Sequence, residues 1–188
     1  MEKTSIKPVP CVYPSAVVLV STGEFGGPKN IATVAWAADV SAEPPTVCIA
    51  LRPSRYSHEI ISKTGEFVIN MPRASQVRET DYCGQVSGRR KDKWADCGFT
   101  AVPGRKVRAP LIKECPVNVE CAVRNRVKVG THDIIVAEVL AISADPGVLT
   151  DGKIDPSKVD SLTYAHGRYW RTGPPIGEYG FSVSQRRG

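Results

Sequence analysis

The chain has 188 residues, 41% of them hydrophobic, which suits one domain with a substantial core and requires no second. Its net charge of +6 raises nucleic acid as a partner, yet much of that charge lies in two clusters, Arg89-Arg90-Lys91 with Lys93 and Arg186-Arg187. Neither is interleaved with stacking aromatics or joined to a nucleic-acid motif, so a basic rim around a site for phosphorylated ligands accounts for them better.

The opening residues, Met1 to Pro8, lack the apolar run of a secretion signal, and no stretch approaches the ~20 apolar residues of a membrane span. A soluble, cytoplasmic protein is expected. Fifteen prolines and sixteen glycines punctuate many short elements and favour strands over a helical bundle. Apolar runs at Val12 to Ser21, Ile31 to Ala37, Thr46 to Leu51 and Glu66 to Asn70 read as strands, with an acidic-proline turn at Glu43-Pro44-Pro45. Short helices are expected at Ser57 to Lys63, stopped by Gly65, and at about Ala74 to Cys83. Apolar residues alternate with polar ones from Val117 to Val129, the period of a strand with one buried face. Gly130-Thr131 then makes a tight hairpin to a partner strand over His132 to Ser143.

Asp145 to Asp160 is polar, rich in glycine and proline, and reads as an exposed loop. Beyond His166 the apolar patterning is too sparse to fold alone, and residues 171–188 are expected to form an extended tail draped over the rest or over a second subunit. Five or six antiparallel strands with one or two short helices make a mainly β (α+β) fold, a closed or split barrel. A doubly wound parallel sheet would need long helices between its strands.

Six cysteines contain no Cys-x-x-Cys pair, so neither zinc nor an iron-sulfur cluster is predicted, and Cys48 and Cys83 remain as candidate redox thiols. The glycine-rich nucleotide signatures are absent. Arg52, Ser54, Arg55 and Ser57, however, place two cations and two hydroxyls within six residues just ahead of a helix, where unpaired N–H groups favour an anion. Ser57 stands where an N-cap would, and the plainer alternative is that it only caps while the arginines are solvated. Asn30, Ala32, Thr33 and Trp36 would suit one wall of a flat slot, with small side chains for close approach and amide or hydroxyl groups for a polar edge; an ordinary inner strand is the alternative. His58 reads as a surface or phosphate-side residue. No Ser-His-Asp order, paired-acid motif or His-Glu-x-x-His helix supports hydrolysis.

From Asn30 to Pro72 the order of elements resembles the flavin reductase-like, FMN-binding split-barrel family, most closely its flavoredoxin-type branch. Three further segments carry the resemblance: Cys83-Gly84-Gln85-Val86-Ser87-Gly88 with Asp92-Lys93, Thr131-His132-Asp133, and Tyr164 to Trp170. The resemblance implies an antiparallel split β-barrel that binds FMN noncovalently, FAD being possible, and pairs as a homodimer. It assigns the phosphate to Arg52, Ser54, Arg55, Ser57 and Lys93, with Ser87 and Gly88 alongside. The ring falls to Asn30, Thr33 and Trp36, with Ala32 small enough for close approach, its reactive edge to His132 and the cover of its face to Tyr164, and Ile31, Ala50, Leu51 and Tyr56 are cofactor-binding as well. The implied activity is electron transfer from NADH or NADPH through FMN to free flavin, ferric chelates or a redox partner protein. Two alternatives stand beside it: an electron-transfer flavoredoxin without direct NAD(P)H oxidation, and a noncatalytic basic barrel that binds nucleic acid or protein.

Overall fold

A computed structural model of the chain describes residues 3–184. The cluster Arg186-Arg187 lies outside the described residues. The elements run β1 (Ser15–Ala16), β2 (Val18–Gly23), β3 (Lys29–Val34), β4 (Ala37–Ala42), β5 (Pro45–Leu51), α1 (Tyr56–Thr64), β6 (Glu66–Met71), α2 (Val77–Gln85), α3 (Lys93–Asp96), β7 (Ala101–Val102) and β8 (Leu111–Ile112). There follow β9 (Val117–Val129), β10 (His132–Ala144), β11 (Leu149–Thr150), β12 (Lys153–Ile154), α4 (Pro156–Val159), β13 (Leu162–Ala165), β14 (Arg168–Arg171) and α5 (Phe181–Ser184).

Seven strands form one antiparallel sheet in the order β3-β2-β6-β9-β10-β5-β4. The sheet rolls without closing. Its inner face gathers Val20, Val34, Val47, Ile49, Phe67, Cys121 and Ile135 into one buried cluster drawn from strands near both edges. β-branched side chains dominate that list, as expected where each strand packs one face on a core. A second cluster, Leu19, Ile31, Cys83, Trp94 and Ile112, lies on the outer face and seats α2 and α3 against the sheet.

The expected strand from Ile31 to Ala37 is in fact two. β3 ends at Val34 and β4 begins at Ala37, and these strands occupy opposite edges of the sheet. Ala35 and Trp36 make the crossing, held where the Trp36 carbonyl accepts a hydrogen bond from the Ala50 amide at 2.9 Å. The run from Val12 likewise starts only at Ser15, after Pro14, and breaks at Val17, because β1 pairs with β13 in a separate three-stranded sheet.

β9 and β10 each span 13 residues, and the tip of their hairpin projects beyond the core, which leaves Val127 and Val129 about half exposed. The polar stretch from Asp145 to Asp160 is not a bare loop. It folds into a turn, the β11–β12 hairpin and α4, pinned by Val148 and Val159, which pack against Val117. The region beyond His166 also departs from expectation: His166 and Gly167, both at positive φ, turn the chain so that β14 pairs with β13. Residues 173–180 are exposed without regular structure, apart from the short α5 that follows.

Two buried polar hubs fix the loops around the sheet. Asn70 donates to the Leu19 carbonyl and to Ser21 Oγ, each at 2.9 Å, and accepts from the Ile112 amide and from Asn118 Nδ2. Glu120 is fully buried, and its carboxylate accepts from the backbone amides of Arg105, Lys106 and Val107. Burial of a carboxylate is tolerated because these donors replace its water.

Candidate functional site

β3, the Leu51–Ser57 segment and the end of α2 enclose a cavity of about 290 Å³. Asn30, Ala32 and Thr33 line one wall; Leu51, Arg52, Ser54, Arg55, Tyr56 and Ser57 line another; Ser87, Gly88 and Lys93 line a third. Twelve residues separated by up to 63 positions of sequence thus meet in one place. Cys83, Gly84 and Val86 complete the lining. The sequence placed all three inside the Cys83–Gly88 motif and marked Cys83 as a candidate thiol, but assigned none of them to the cofactor.

The donors converge for identifiable reasons. Arg55, not Ser57, is the cap residue of α1, and no side chain caps that helix, so its first amides stay free to meet an anion. Ser57 lies inside the first turn, fully buried, and its Oγ accepts from Asn30 Nδ2 at 2.8 Å. That bond ties the start of α1 to β3. Lys93 is 4% exposed, and its ammonium donates to the carbonyls of Ile31 and Cys83, each at 2.7 Å. An ammonium has three donors, so one remains for a ligand in the cavity. Burial above all, with the Arg55 cation acting in the same direction, lowers the Lys93 pKa below its ordinary value of 10.5, against an opposing pull from Cys83. An anion entering the cavity reverses that Coulombic pressure. Ile31 itself is buried in the outer core and offers the site its carbonyl alone.

Gly88 makes a close approach that only glycine permits. A side-chain carbon there would lie 2.6 Å from Asn30 Cγ and overlap the amide oxygen. Gly84 meets Thr33 less tightly, at 3.2 Å to its Cβ, while Thr33 Oγ1 donates to the Thr80 carbonyl.

Trp36 and His132 stand together outside this cavity, with ring centroids 4.8 Å apart. Burial, then the cations of Arg52 and Arg55, hold His132 below the ordinary histidine value of 6.5. His132 therefore shares the electrostatic field of Arg52 and Arg55 without lining their cavity. Tyr164 lines a neighbouring recess of about 260 Å³ together with Trp36, Tyr13 and His166. Ala50 is half-buried on β5, paired with Ile134. His58 departs from the surface reading: it is 8% exposed, and its Nε2 meets Asp133 Oδ2 at 2.7 Å. The pair links α1 directly to the hairpin that carries His132. Its sequence signal was slight, because residues 58 and 133 are 75 positions apart.

An open antiparallel barrel with a cavity beside its edge strand β3, lined by the start of an uncapped helix, two arginines and a buried lysine, defines a split-barrel protein. Residues 11–173 match the model of the flavin reductase like domain, and the chain belongs to that family. Flavoredoxin from Methanosarcina acetivorans superposes with a TM-score of 0.91 at 32% identity, covering 98% of this chain and 99% of that one. Flavoredoxin of Desulfovibrio vulgaris (Miyazaki F) gives 0.89 at 31% identity, over 97% and 99%. Among curated relatives, FMN reductase (NADH) RutF 2 of Methylorubrum extorquens is 29% identical over 161 residues, 85% of this chain and 83% of its own.

FMN fits the residues present. Its phosphate requires convergent donors, which the helix start, Arg52, Arg55, Ser54 and Lys93 offer around the cavity. Among the described residues no cluster of His, Cys, Asp or Glu suits a metal ion, and no helix is long and apolar enough to cross a membrane.

Proposed function

We propose that the chain is an FMN-binding oxidoreductase that takes electrons from NADH or NADPH and passes them through FMN to free flavin, a ferric chelate or a redox partner protein. The observation that carries this reading is the convergence of Arg52, Arg55, the free amides of α1 and the spare donor of Lys93 on one cavity beside β3. The NADH-linked name of the RutF relative supports the choice of donor.

FMN, when bound, supplies the two-electron redox chemistry. The residues supply binding and orientation. Arg52, Ser54, Arg55, Ser57 and Lys93 hold the phosphate, with Ser87 and Gly88 closing the far wall. Asn30, Ala32 and Thr33 offer small side chains and polar atoms to the flavin, with Leu51 and Tyr56 beside them. Trp36 and Tyr164 flank the recess through which a nicotinamide or an acceptor approaches. His132, kept toward its neutral form by burial and then by Arg52 and Arg55, presents an imidazole at that mouth. No side chain is required as a general acid. A homodimer is part of the reading: an apolar groove lined by Val18, Ala37, Val119, Val139 and Ile142 opens on the sheet, and a second copy is proposed to cover it.

The test is the visible spectrum of the purified protein loaded with FMN, followed by anaerobic mixing with NADH and with NADPH. Bound flavin that bleaches rapidly with either donor supports the reductase. A second reading is favoured by the two flavoredoxin neighbours: a carrier that accepts electrons from a protein. It predicts bound flavin that bleaches with neither donor. A protein that binds no flavin sinks both.

A further inference from the structure

Among the described residues, two of the six cysteines meet: Cys83 Sγ and Cys97 Sγ lie 3.7 Å apart, in van der Waals contact. Cys83 is 1% exposed, in the last turn of α2, and forms part of the cavity wall. Cys97 ends α3, is only partly buried, and opens on a separate surface hollow bounded by Arg78, Tyr82 and Asp96. One cysteine therefore borders the candidate site while its neighbour is reachable from solvent.

We propose that Cys83 and Cys97 form a reversible modification site, a dithiol that a two-electron oxidant such as hydrogen peroxide converts to an intramolecular disulfide joining α2 to α3. A disulfide needs its sulfurs at about 2.05 Å. From 3.7 Å the pair must close by roughly 1.6 Å, a distance that side-chain rotation and a small slide of the four-residue α3 can cover. The chemistry balances in two steps. The Cys97 thiol gives up its proton, the thiolate attacks the peroxide O–O bond, an S–O bond forms, the O–O bond breaks, and the departing hydroxide takes up that proton as water. The Cys83 sulfur then attacks the Cys97 sulfur, the S–S bond forms, the S–O bond breaks, and the hydroxyl leaves with the Cys83 proton as a second water. Two electrons and two protons pass from the dithiol to one peroxide.

The order of attack follows from access. Burial raises both thiols above their ordinary range, and the shift is the larger for Cys83, so the pair rests as thiols at neutral pH. Cys97 is the less buried sulfur and meets the oxidant first. Contact between the sulfurs then gives Cys83 a partner at high effective concentration, which favours the bridge over further oxidation of Cys97.

The bridge also reaches the cavity, a consequence that rests on the flavin-phosphate reading above. Lys93 stands one helical turn ahead of Cys97, and its ammonium bonds the Cys83 carbonyl at 2.7 Å. Drawing Cys97 toward Cys83 displaces Lys93 from its two carbonyls and misdirects its remaining donor. FMN is therefore held less tightly by the oxidised protein.

The full-length protein is treated with hydrogen peroxide, alkylated, digested and analysed by mass spectrometry before and after dithiothreitol. The expected product is a linked pair of peptides carrying Cys83 and Cys97, two hydrogens lighter than the dithiol and restored by reductant. Cys97→Ser forms no such link, and Cys83→Ser leaves a sulfenic acid on Cys97 that dimedone traps. FMN affinity falls at least about threefold on oxidation, returns with dithiothreitol, and is insensitive to peroxide in Cys97→Ser. Wild-type protein oxidised at Cys97 without ever linking to Cys83 overturns the proposal, and no variant is needed to see it. A linked protein with unchanged FMN affinity overturns the coupling to the cavity. If the reduced protein fails to bind FMN, the flavin reading fails on its own while the bridge is still read by mass.

Discussion

Replacing Gly88 by alanine tests the tightest point of the candidate site. The added carbon overlaps Asn30 Oδ1 and lies 2.6 Å from Asn30 Cγ. Unstrained carbon contacts begin near about 3.5 Å, so the Asn30 amide must retreat by about 1 Å. Asn30 is 3% exposed and donates to Ser57 Oγ at 2.8 Å, so the retreat stretches a buried hydrogen bond beyond its useful range. Overpacking and the lost bond together predict a destabilisation of about 2–4 kcal/mol. The same movement separates β3 from the start of α1, and FMN affinity should fall at least about tenfold, or ~1.4 kcal/mol. Urea unfolding measures the first effect and equilibrium FMN titration the second. Gly84→Ala is the internal control: its nearest contact is Thr33 Cβ at 3.2 Å, and a few tenths of an ångström relieve it. Equal, small effects of both substitutions, within about 0.5 kcal/mol, would refute the packing argument.

Three further outcomes follow from other parts of the molecule. Glu120→Gln removes a buried carboxylate that accepts from three backbone amides, and urea unfolding should show a loss of about 2–3 kcal/mol; a loss below about 1 kcal/mol contradicts its role as loop anchor. Lys93→Met removes the one buried cation of the cavity and should weaken FMN binding strongly while leaving riboflavin binding nearly unchanged, since riboflavin lacks the phosphate. Equal effects on both ligands in parallel titrations would remove Lys93 from the phosphate site. His132 has a folded pKa below its ordinary 6.5, so as pH falls through that ordinary value the unfolded chain binds its proton first. His132 therefore lowers stability as the solution is acidified, and the loss levels off below the folded pKa. Comparison of unfolding midpoints against pH for wild type and His132→Gln should show a steeper slope in wild type, and bound FMN should reduce that excess only in part, because it neutralises Arg52 and Arg55 but leaves the burial in place; identical profiles would refute the shift.

Local signals carried much of the fold. The alternation from Val117 and the Gly130-Thr131 turn specified the central hairpin because period and turn chemistry are encoded in adjacent residues. The crossing at Trp36 was hidden, since small apolar residues continue on both sides and only the sheet order reveals that β3 and β4 lie at opposite edges. Val148 and Val159 were read as loop because single valines among polar residues have no period, although each is buried by Val117 in three dimensions. At the candidate site, the arginine-serine segment announced itself by composition. The burial of Lys93 did not: its two carbonyl partners belong to Ile31 and Cys83, and a lysine within a basic run resembles a solvated one. The His58–Asp133 pair was silent for the same reason, as buried partners far apart in sequence leave no local mark.

The central claim is that the cavity between β3, α1 and α3 recognises the phosphate of FMN, and the most direct measurement is a pair of equilibrium titrations, FMN against riboflavin, followed by flavin fluorescence. The account predicts that FMN binds at least about a hundredfold more tightly, ~2.7 kcal/mol, and that raised salt narrows the gap. Equal affinity for the two ligands, or binding of neither, would contradict it.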